Sequence, residues 1–291
     1  MAQNIILIET STALCSVALA ENGQITAYRE SSAPKAHASL TAVFIQEMLN
    51  ERGLTLADCD AVCVSKGPGS YTGLRVGVST AKGLCFGSKK PLIAVGTLDT
   101  LVAQSLYHPE RNCHPERTCH PERTCHPEPT CHPERNCHPE RSEGSPYRFI
   151  IPMIDARRME VYSAVFSTCG PESTCHPERT CHPESACHPE RSEGSPSYRQ
   201  ITETAPAIID ETSFAEYLEQ GPCLFIGDGA GKCADVIKHP NAHFCQCHPN
   251  AKAMLAPAMA ALNAKRFEDV AYFEPFYLKE FVATVSKKKL F

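Results

Sequence analysis

Apolar residues change their spacing several times along the chain, and each change predicts an element. Ile5 to Ile8 is apolar without interruption, so Asn4 to Glu9 reads as a strand covered on both faces. Ala13 to Ala20 alternates as a second strand, Asn22-Gly23 suits a type I′ turn, and Gln24 to Glu30 returns antiparallel as a third. From Pro34 to Arg52 the period lengthens to that of a helix. There Leu40, Phe44 and Met48 recur alongside Val43, Ile45 and Leu49, a set wider than one face that predicts two burial partners. Gly53 ends this helix, Asp60 to Ser65 reads as a parallel strand, and a second helix is expected from about Gly73 to Phe86. Its Gly77, Ala81 and Gly83 predict close approach by another helix. Pro91 to Val95 is the next strand, and Thr97 or Asp99 caps a helix running to Tyr107.

The second half starts again with strands. Arg148 to Ile154 ends in Asp155, Glu160 to Phe166 follows after a short turn, and a hairpin results. Phe214 to Leu218 is expected to be helical and Cys223 to Ile226 a strand. Gly227 to Gly231 then turns into a helix reaching about Lys238, and Ala251 to Phe267 is a further helix with a kink or late start at Pro257. Each half thus reads as a hairpin followed by alternating helices and strands, which predicts a mixed α/β layer fold.

Composition alters this picture at one point. The 17 Cys and 13 His suggest a disulfide or metal protein, yet eight of those Cys and nine of those His lie in two tracts, His108 to Pro146 and Pro171 to Pro196. The tracts repeat hexapeptides of the HPERTC kind, and both close with HPERSEGSP. With Pro after every His they cannot be helical, and they lack the apolar residues to cover a sheet, so extended or disordered surface loops are expected. Insertions of this kind cost little, because closure entropy grows only logarithmically with length. Structural zinc sites use paired spacings in a compact turn, which an open-ended period does not supply. The tracts' seven Arg and twelve acidic residues account for the whole formal charge of −5, leaving a core with 21 basic and 21 acidic residues. Such a neutral core lacks the basic footprint of a protein that grips nucleic acid alone. Met1 to Thr12 has no cationic start and its apolar run stops at Glu9, so neither a leader nor a membrane span is read there and a cytoplasmic address is expected.

Three short motifs could carry chemistry. Glu9-Thr10-Ser11 sits at the first hairpin, where hydroxyls and turn amides either face a cleft or satisfy their own backbone. Asp155-Ala156-Arg157-Arg158 opens the second hairpin and is its counterpart. Gly227-Asp228-Gly229-Ala230 resembles the adenine-side glycine turn of actin-like ATPases. A fourth segment, Lys66-Gly67-Pro68-Gly69-Ser70-Tyr71-Thr72-Gly73-Leu74-Arg75, joins a strand to a helix N-terminus and reads equally as an anion site or as a tight connection with Thr72 near the cap. It is neither a phosphate-binding loop of the Gly-Lys-Ser kind nor a complete G-x-G-x-x-G. His239 and His243 have metal-like spacing, but Pro240 between them prevents the helix that would align them.

NIILIETSTALCSVAL, SKGPGSYTGLRVGVSTAKGL, IDARRMEVY and the terminal EPFYLKEFVATVSKKK together resemble the TsaB (YeaZ) family, a component of the machinery that makes tRNA N6-threonylcarbamoyladenosine. The resemblance spans the core outside the two tracts. It implies an actin-like ATPase (ribonuclease H-like) α/β fold of two duplicated lobes that has lost catalysis. Residues 1–107 would form the N-terminal lobe, 108–146 an insert, and 147–291 a C-terminal lobe with a second insert at 171–196. It also implies a non-catalytic partner of the TsaD transferase, joined by the ATPase TsaE, with tRNA held through the complex and no membrane involved. A homodimer is allowed where TsaD is absent. Leu40, Val43, Phe44, Val76 and Thr80 are the expected partner contacts. Glu9, Thr10, Ser11, Ser70, Thr72, Asp155, Gly227, Asp228 and Gly229 are the expected vestigial nucleotide or phosphate cleft. No catalytic residue, metal or cofactor is assigned, since His37 is alone in the first lobe outside the tracts. The competing reading is an ATP-dependent small-molecule kinase or ATPase using Glu9, Ser70, Asp155 and Asp228 around magnesium. A metallopeptidase is a third, and it lacks a metal site that the core residues could build.

Overall fold

The computed structural model describes residues 3–105, 146–169 and 197–278; both histidine–proline tracts, except Pro146, and the chain from residue 279 on lie outside these. Two sheets organise the described residues. In the first, β1 (Asn4–Glu9), β2 (Cys15–Glu21), β3 (Gln24–Ser31), β4 (Ala61–Gly67) and β5 (Leu92–Gly96) lie in the order β3-β2-β1-β4-β5. In the second, β6 (Phe149–Asp155), β7 (Glu160–Ser163), β10 (Ala205–Ile208), β11 (Cys223–Gly227) and β12 (Ala242–Gln246) lie in the order β10-β7-β6-β11-β12. Strands β8 (Phe166–Cys169) and β9 (Ser197–Gln200) join it at β6. Strand senses match between the sheets: β1 runs antiparallel to β2 and parallel to β4, as β6 does to β7 and β11.

Alternation within β1 explains its unbroken apolar run. Ile6 and Ile8 enter a core with Val17, Leu19, Ile45 and Met48 beneath α1 (Ala36–Arg52) and α2 (Tyr71–Ser88). Ile5 and Leu7 enter another with Met254, Ala258 and Ala261 from a 3₁₀ turn (Ala251–Met254) and the last helix (Leu255–Asn263). The helix α3 (Thr97–Ser105) follows β5 but packs its Leu98, Leu101 and Val102 on Ile150, Ile154 and Ile226 of the second sheet. The short helices α4 (Ala215–Leu218) and α5 (Ala230–Ala234) cap the other face of that sheet, making the last helix α6.

Several boundaries depart from expectation for identifiable reasons. Lys35 is left-handed, so α1 starts at Ala36 and not Pro34. Ser70 is the cap of α2, its hydroxyl accepting the Gly73 N–H at 3.3 Å, and the helix begins two residues before Gly73. The expected strand Glu160 to Phe166 is two strands, β7 and β8. Both pair with β6 in one continuous register, and the break at Ala164 and Val165 faces Pro152, which has no N–H to offer the ladder. The α5 helix ends at Ala234 and α6 at Asn263, each short of the expected end. Strands β9, β10 and β12 have no counterpart in the pattern of apolar residues. Helix α1 buries one side only: Ile45, Met48 and Leu49 are in the core, Leu40 and Phe44 are half-buried, and Val43 is 44% exposed. No helix among the described residues is long and apolar enough to cross a membrane.

Candidate functional site

A cleft of about 980 Å³ opens between the ends of the two sheets, lined from one side by Ser11, Thr12, His37, Ser70 and Thr72 and from the other by Asp155, Arg157, Arg158 and Asp228. Both hairpin loops and the α2 N-terminus therefore meet at one place. Glu9, at the end of β1, lies beneath the floor and is fully buried. One of its carboxylate oxygens accepts the Ser11 N–H at 2.7 Å and the Ser65 hydroxyl at 2.8 Å; burial pushes its carboxyl above the ordinary range. The other oxygen, with the Thr10, Ser11 and Thr12 hydroxyls, has no hydrogen-bond partner among the described residues.

The glycines of the GPGSYTGLRVG segment act through their lack of a side chain. A Cβ on Gly69 would stand 2.3 Å from the Ser11 carbonyl oxygen, one on Gly73 would stand 2.1 Å from that of Thr10, and one on Gly77 would stand 2.2 Å from Thr10 Oγ1. The first turns of α2 are pressed directly onto the loop after β1, and the Ser70 N–H donates to the Ser11 carbonyl at 2.6 Å. Of the two readings open for this segment, the tight connection describes it, with Ser70 as the cap and Thr72 exposed. Gly77 thus admits the loop, where a neighbouring helix was expected, and Gly83 faces open space. The second half repeats the device: the Gly229 N–H donates to the Met153 carbonyl at 3.0 Å, and a Cβ on Gly227 would meet that same oxygen at 2.1 Å. Gly227 and Gly229 pack against β6, and neither is among the residues that line the cleft.

The cleft acids are engaged within the protein. Lys232 forms an ion pair with Asp155 and also donates to the backbone carbonyls of Arg158 and Glu160 at 2.8 and 2.7 Å. Asp228 accepts the Asp155 N–H at 2.9 Å, and its burial raises its carboxyl above the ordinary range. A magnesium–nucleotide site needs ionised oxygens turned toward the ligand. Glu9 is covered and biased toward its neutral form, and Asp155 faces an ammonium, so these residues do not fit that group. Among the described residues no three His, Cys, Asp or Glu side chains stand as a metal-binding group. His239 accepts the Asn241 N–H at 3.1 Å, while His243 is in β12 with its ring 5.2 Å from that of Tyr147.

Away from the cleft, α1 and α2 lie side by side on the first sheet. Val76 and Thr80 are half-buried, Val43 is exposed, and Phe86 is 83% exposed beyond them. An added Cβ at Gly83 or Gly87 would meet nothing within 4 Å, so this stripe of α2 presents bare backbone to its surroundings.

A family model for TsaD, tRNA N6-adenosine threonylcarbamoyltransferase, matches residues 29–119. The chain is 39% identical over 97 residues to the tRNA threonylcarbamoyladenosine biosynthesis protein TsaB of Escherichia coli, covering 33% of this chain and 42% of that protein. It is 41% identical over 107 residues to TsaB of Haemophilus influenzae, covering 36% and 44%. Over about a third of its length the chain is thus similar to TsaB proteins. The chain spans less than half the length of these curated relatives. YeaZ of Pseudomonas aeruginosa, at 20% identity, superposes with a TM-score of 0.66 over 95% of this chain and 100% of that one, and so shares its fold.

Several residues at the cleft carry no signal in the sequence. Lys232 directly follows the Gly227 to Gly231 turn but belongs to no motif itself, and its role depends on α5 docking against the β6–β7 hairpin. Tyr71 and Tyr277 are 206 positions apart in the chain, yet their rings meet at 4.9 Å. Arg157 and Arg158 stood in a quoted motif, but only the backbone reveals that both are left-handed.

Proposed function

We propose that this chain is the non-catalytic partner of the TsaD transferase in tRNA N6-threonylcarbamoyladenosine biosynthesis, stabilising and activating it. In this reading residues 1–107 and 147–291 are two duplicated, degenerate actin-like lobes working in the cytoplasm, with the tracts 108–146 and 171–196 as inserts. TsaD docks on the α1–α2 face, TsaE joins the pair, and the assembly holds tRNA. The observation that carries the reading is the state of the cleft carboxylates. Glu9 is fully buried and bonded to Ser11 and Ser65, and Asp155 is held by Lys232, so the groups that would serve a phosphoryl-transfer reaction serve the fold instead. That observation also disfavours the kinase alternative.

The α1–α2 face supports the choice of docking surface. Leu40, Val43, Val76 and Thr80 line it, with Phe86 at its end; covering a side chain of that size contributes about 2 kcal/mol. Phe44 packs against the first core, so Val43 and Phe86 are the positions where substitution tests docking without disturbing the fold. The function is tested by replacing the native gene of a TsaB-depleted bacterium with this one and measuring the modified tRNA base by mass spectrometry. Restored threonylcarbamoyladenosine is expected. Its absence from cells that accumulate the folded protein would refute the assignment.

A further inference from the structure

The cleft mouth carries groups used neither by the fold nor by docking on α1 and α2. The β6–β7 hairpin turns through Arg157 and Arg158, whose φ angles of 72° and 49° are left-handed, a conformation taken far more readily by glycine or asparagine. Their turn is pinned. The Arg157 N–H donates to Asp155 at 3.0 Å, the Ala156 N–H donates to the Glu160 carbonyl at 3.0 Å, and Lys232 holds the Arg158 carbonyl. Both side chains are exposed, and neither guanidinium pairs with a carboxylate of the described residues. Of the two acids that flank the turn and line the cleft, Asp155 is paired with Lys232, and Glu160 forms no ion pair with either arginine.

The facing wall is aromatic. Tyr71 and Tyr277 pack ring to ring, with the Arg75 guanidinium 5.3 Å from the Tyr71 centroid, and Tyr277 and Phe276 are both partly exposed at the mouth. Between the walls lie Ser11 and Thr12, no more than 5% exposed, which line the cleft and whose hydroxyls lack partners among the described residues. Paired guanidiniums match phosphate geometry, and a ring platform stacks any base regardless of sequence.

We propose that this cleft binds single-stranded RNA, with Arg157 and Arg158 on the phosphodiester backbone and a base stacked at the Tyr71–Tyr277 platform. The inference rests on the tRNA-modifying reading above and names the surface by which this chain itself touches the substrate. A neutral core makes the contact modest on its own, consistent with RNA being held by an assembly.

The test is fluorescence anisotropy of the full chain with a labelled seven-nucleotide RNA of mixed sequence. Two phosphate contacts to a single strand give a salt slope of about −1.4, so affinity should fall about sevenfold between 50 and 200 mM salt. The double substitution Arg157→Gly, Arg158→Gly should weaken binding and flatten that slope while raising the melting temperature, because glycine adopts the turn without strain. Tyr277→Ala should weaken binding about tenfold and leave the slope unchanged. A glycine variant that melts higher and binds RNA as the parent does would overturn the proposal, as would a parent chain that binds magnesium–ATP but not the RNA. Capture of TsaD by the parent without RNA binding would overturn this inference alone. RNA binding without TsaD capture would instead remove the proposed partnership and leave the RNA site standing.

Discussion

Alanine at Gly73 would place a Cβ 2.1 Å from the Thr10 carbonyl oxygen, inside a contact that real Cβ atoms do not make. The obstacle is backbone, fixed by the β1 ladder before it and by the Ser70 N–H bonded to the Ser11 carbonyl after it, so α2 or the loop must move. Overpacking of a tight core costs about 1–3 kcal/mol, and the upper end applies where backbone must shift. Against it stands the gain of about 1 kcal/mol from replacing glycine by alanine inside a helix. The expected net loss at Gly73 is therefore about 2 kcal/mol. Gly83 lies in the same helix with nothing within 4 Å of an added Cβ, so Gly83→Ala keeps the helical gain and should stabilise by about 0.5–1 kcal/mol. The two variants should then differ by about 3 kcal/mol, or about 6–12 °C in melting temperature for a chain of this size. Circular dichroism during thermal and urea unfolding reads both. Equal stability of the two variants would mean that α2 does not press on the loop after β1, and the structural role assigned to the glycine segment would fall.

The buried acid gives a pH signature: Glu9 titrates above its ordinary value of 4.5 because burial disfavours its ionised form, so its ionisation costs the folded state nothing below about pH 4.5 and progressively more as pH rises through the folded value. Glu9→Gln keeps an oxygen for the Ser11 and Ser65 donors, and its stability advantage over the parent should widen from pH 4.5 to pH 8; a constant offset across that range would contradict the burial argument. Ser70→Ala removes the α2 cap and should cost about 1 kcal/mol in urea unfolding, whereas no loss would place the cap elsewhere. Lys232→Met removes two bonds to hairpin carbonyls and an ion pair to the part-exposed Asp155; a loss of about 1–2 kcal/mol is expected, mostly from the carbonyls, and an unchanged midpoint would deny that α5 braces the hairpin.

Much of the first sheet is readable without coordinates, because β1, β2, α1 and α2 have clear and different periods and Asn22-Gly23 marks the turn. Legibility fails where a tertiary partner decides the outcome. Pro152 sits inside a strand-like run, and its effect falls on Ala164 and Val165, which lie across the ladder. The β10 strand is four residues at a sheet edge and contains Pro206, and β12 carries His243, whose spacing from His239 resembles a metal pair more than a strand. The order of the hairpin motifs points to one cleft, and Ser11, Ser70, Thr72, Asp155 and Asp228 do line one. What the motifs could not convey is engagement. A glycine-rich segment before a helix looks the same whether its open space receives an anion or a carbonyl, and the distances to Thr10 and Ser11 distinguish the two.

Size-exclusion chromatography with light scattering on the full chain mixed with TsaD from the same organism tests the central claim most directly. A one-to-one complex with the parent chain is expected, together with its loss in a Val43→Glu, Phe86→Glu variant whose melting temperature is unchanged. Two species eluting separately, or a complex that forms equally well with both charges installed on the α1–α2 face, would contradict it.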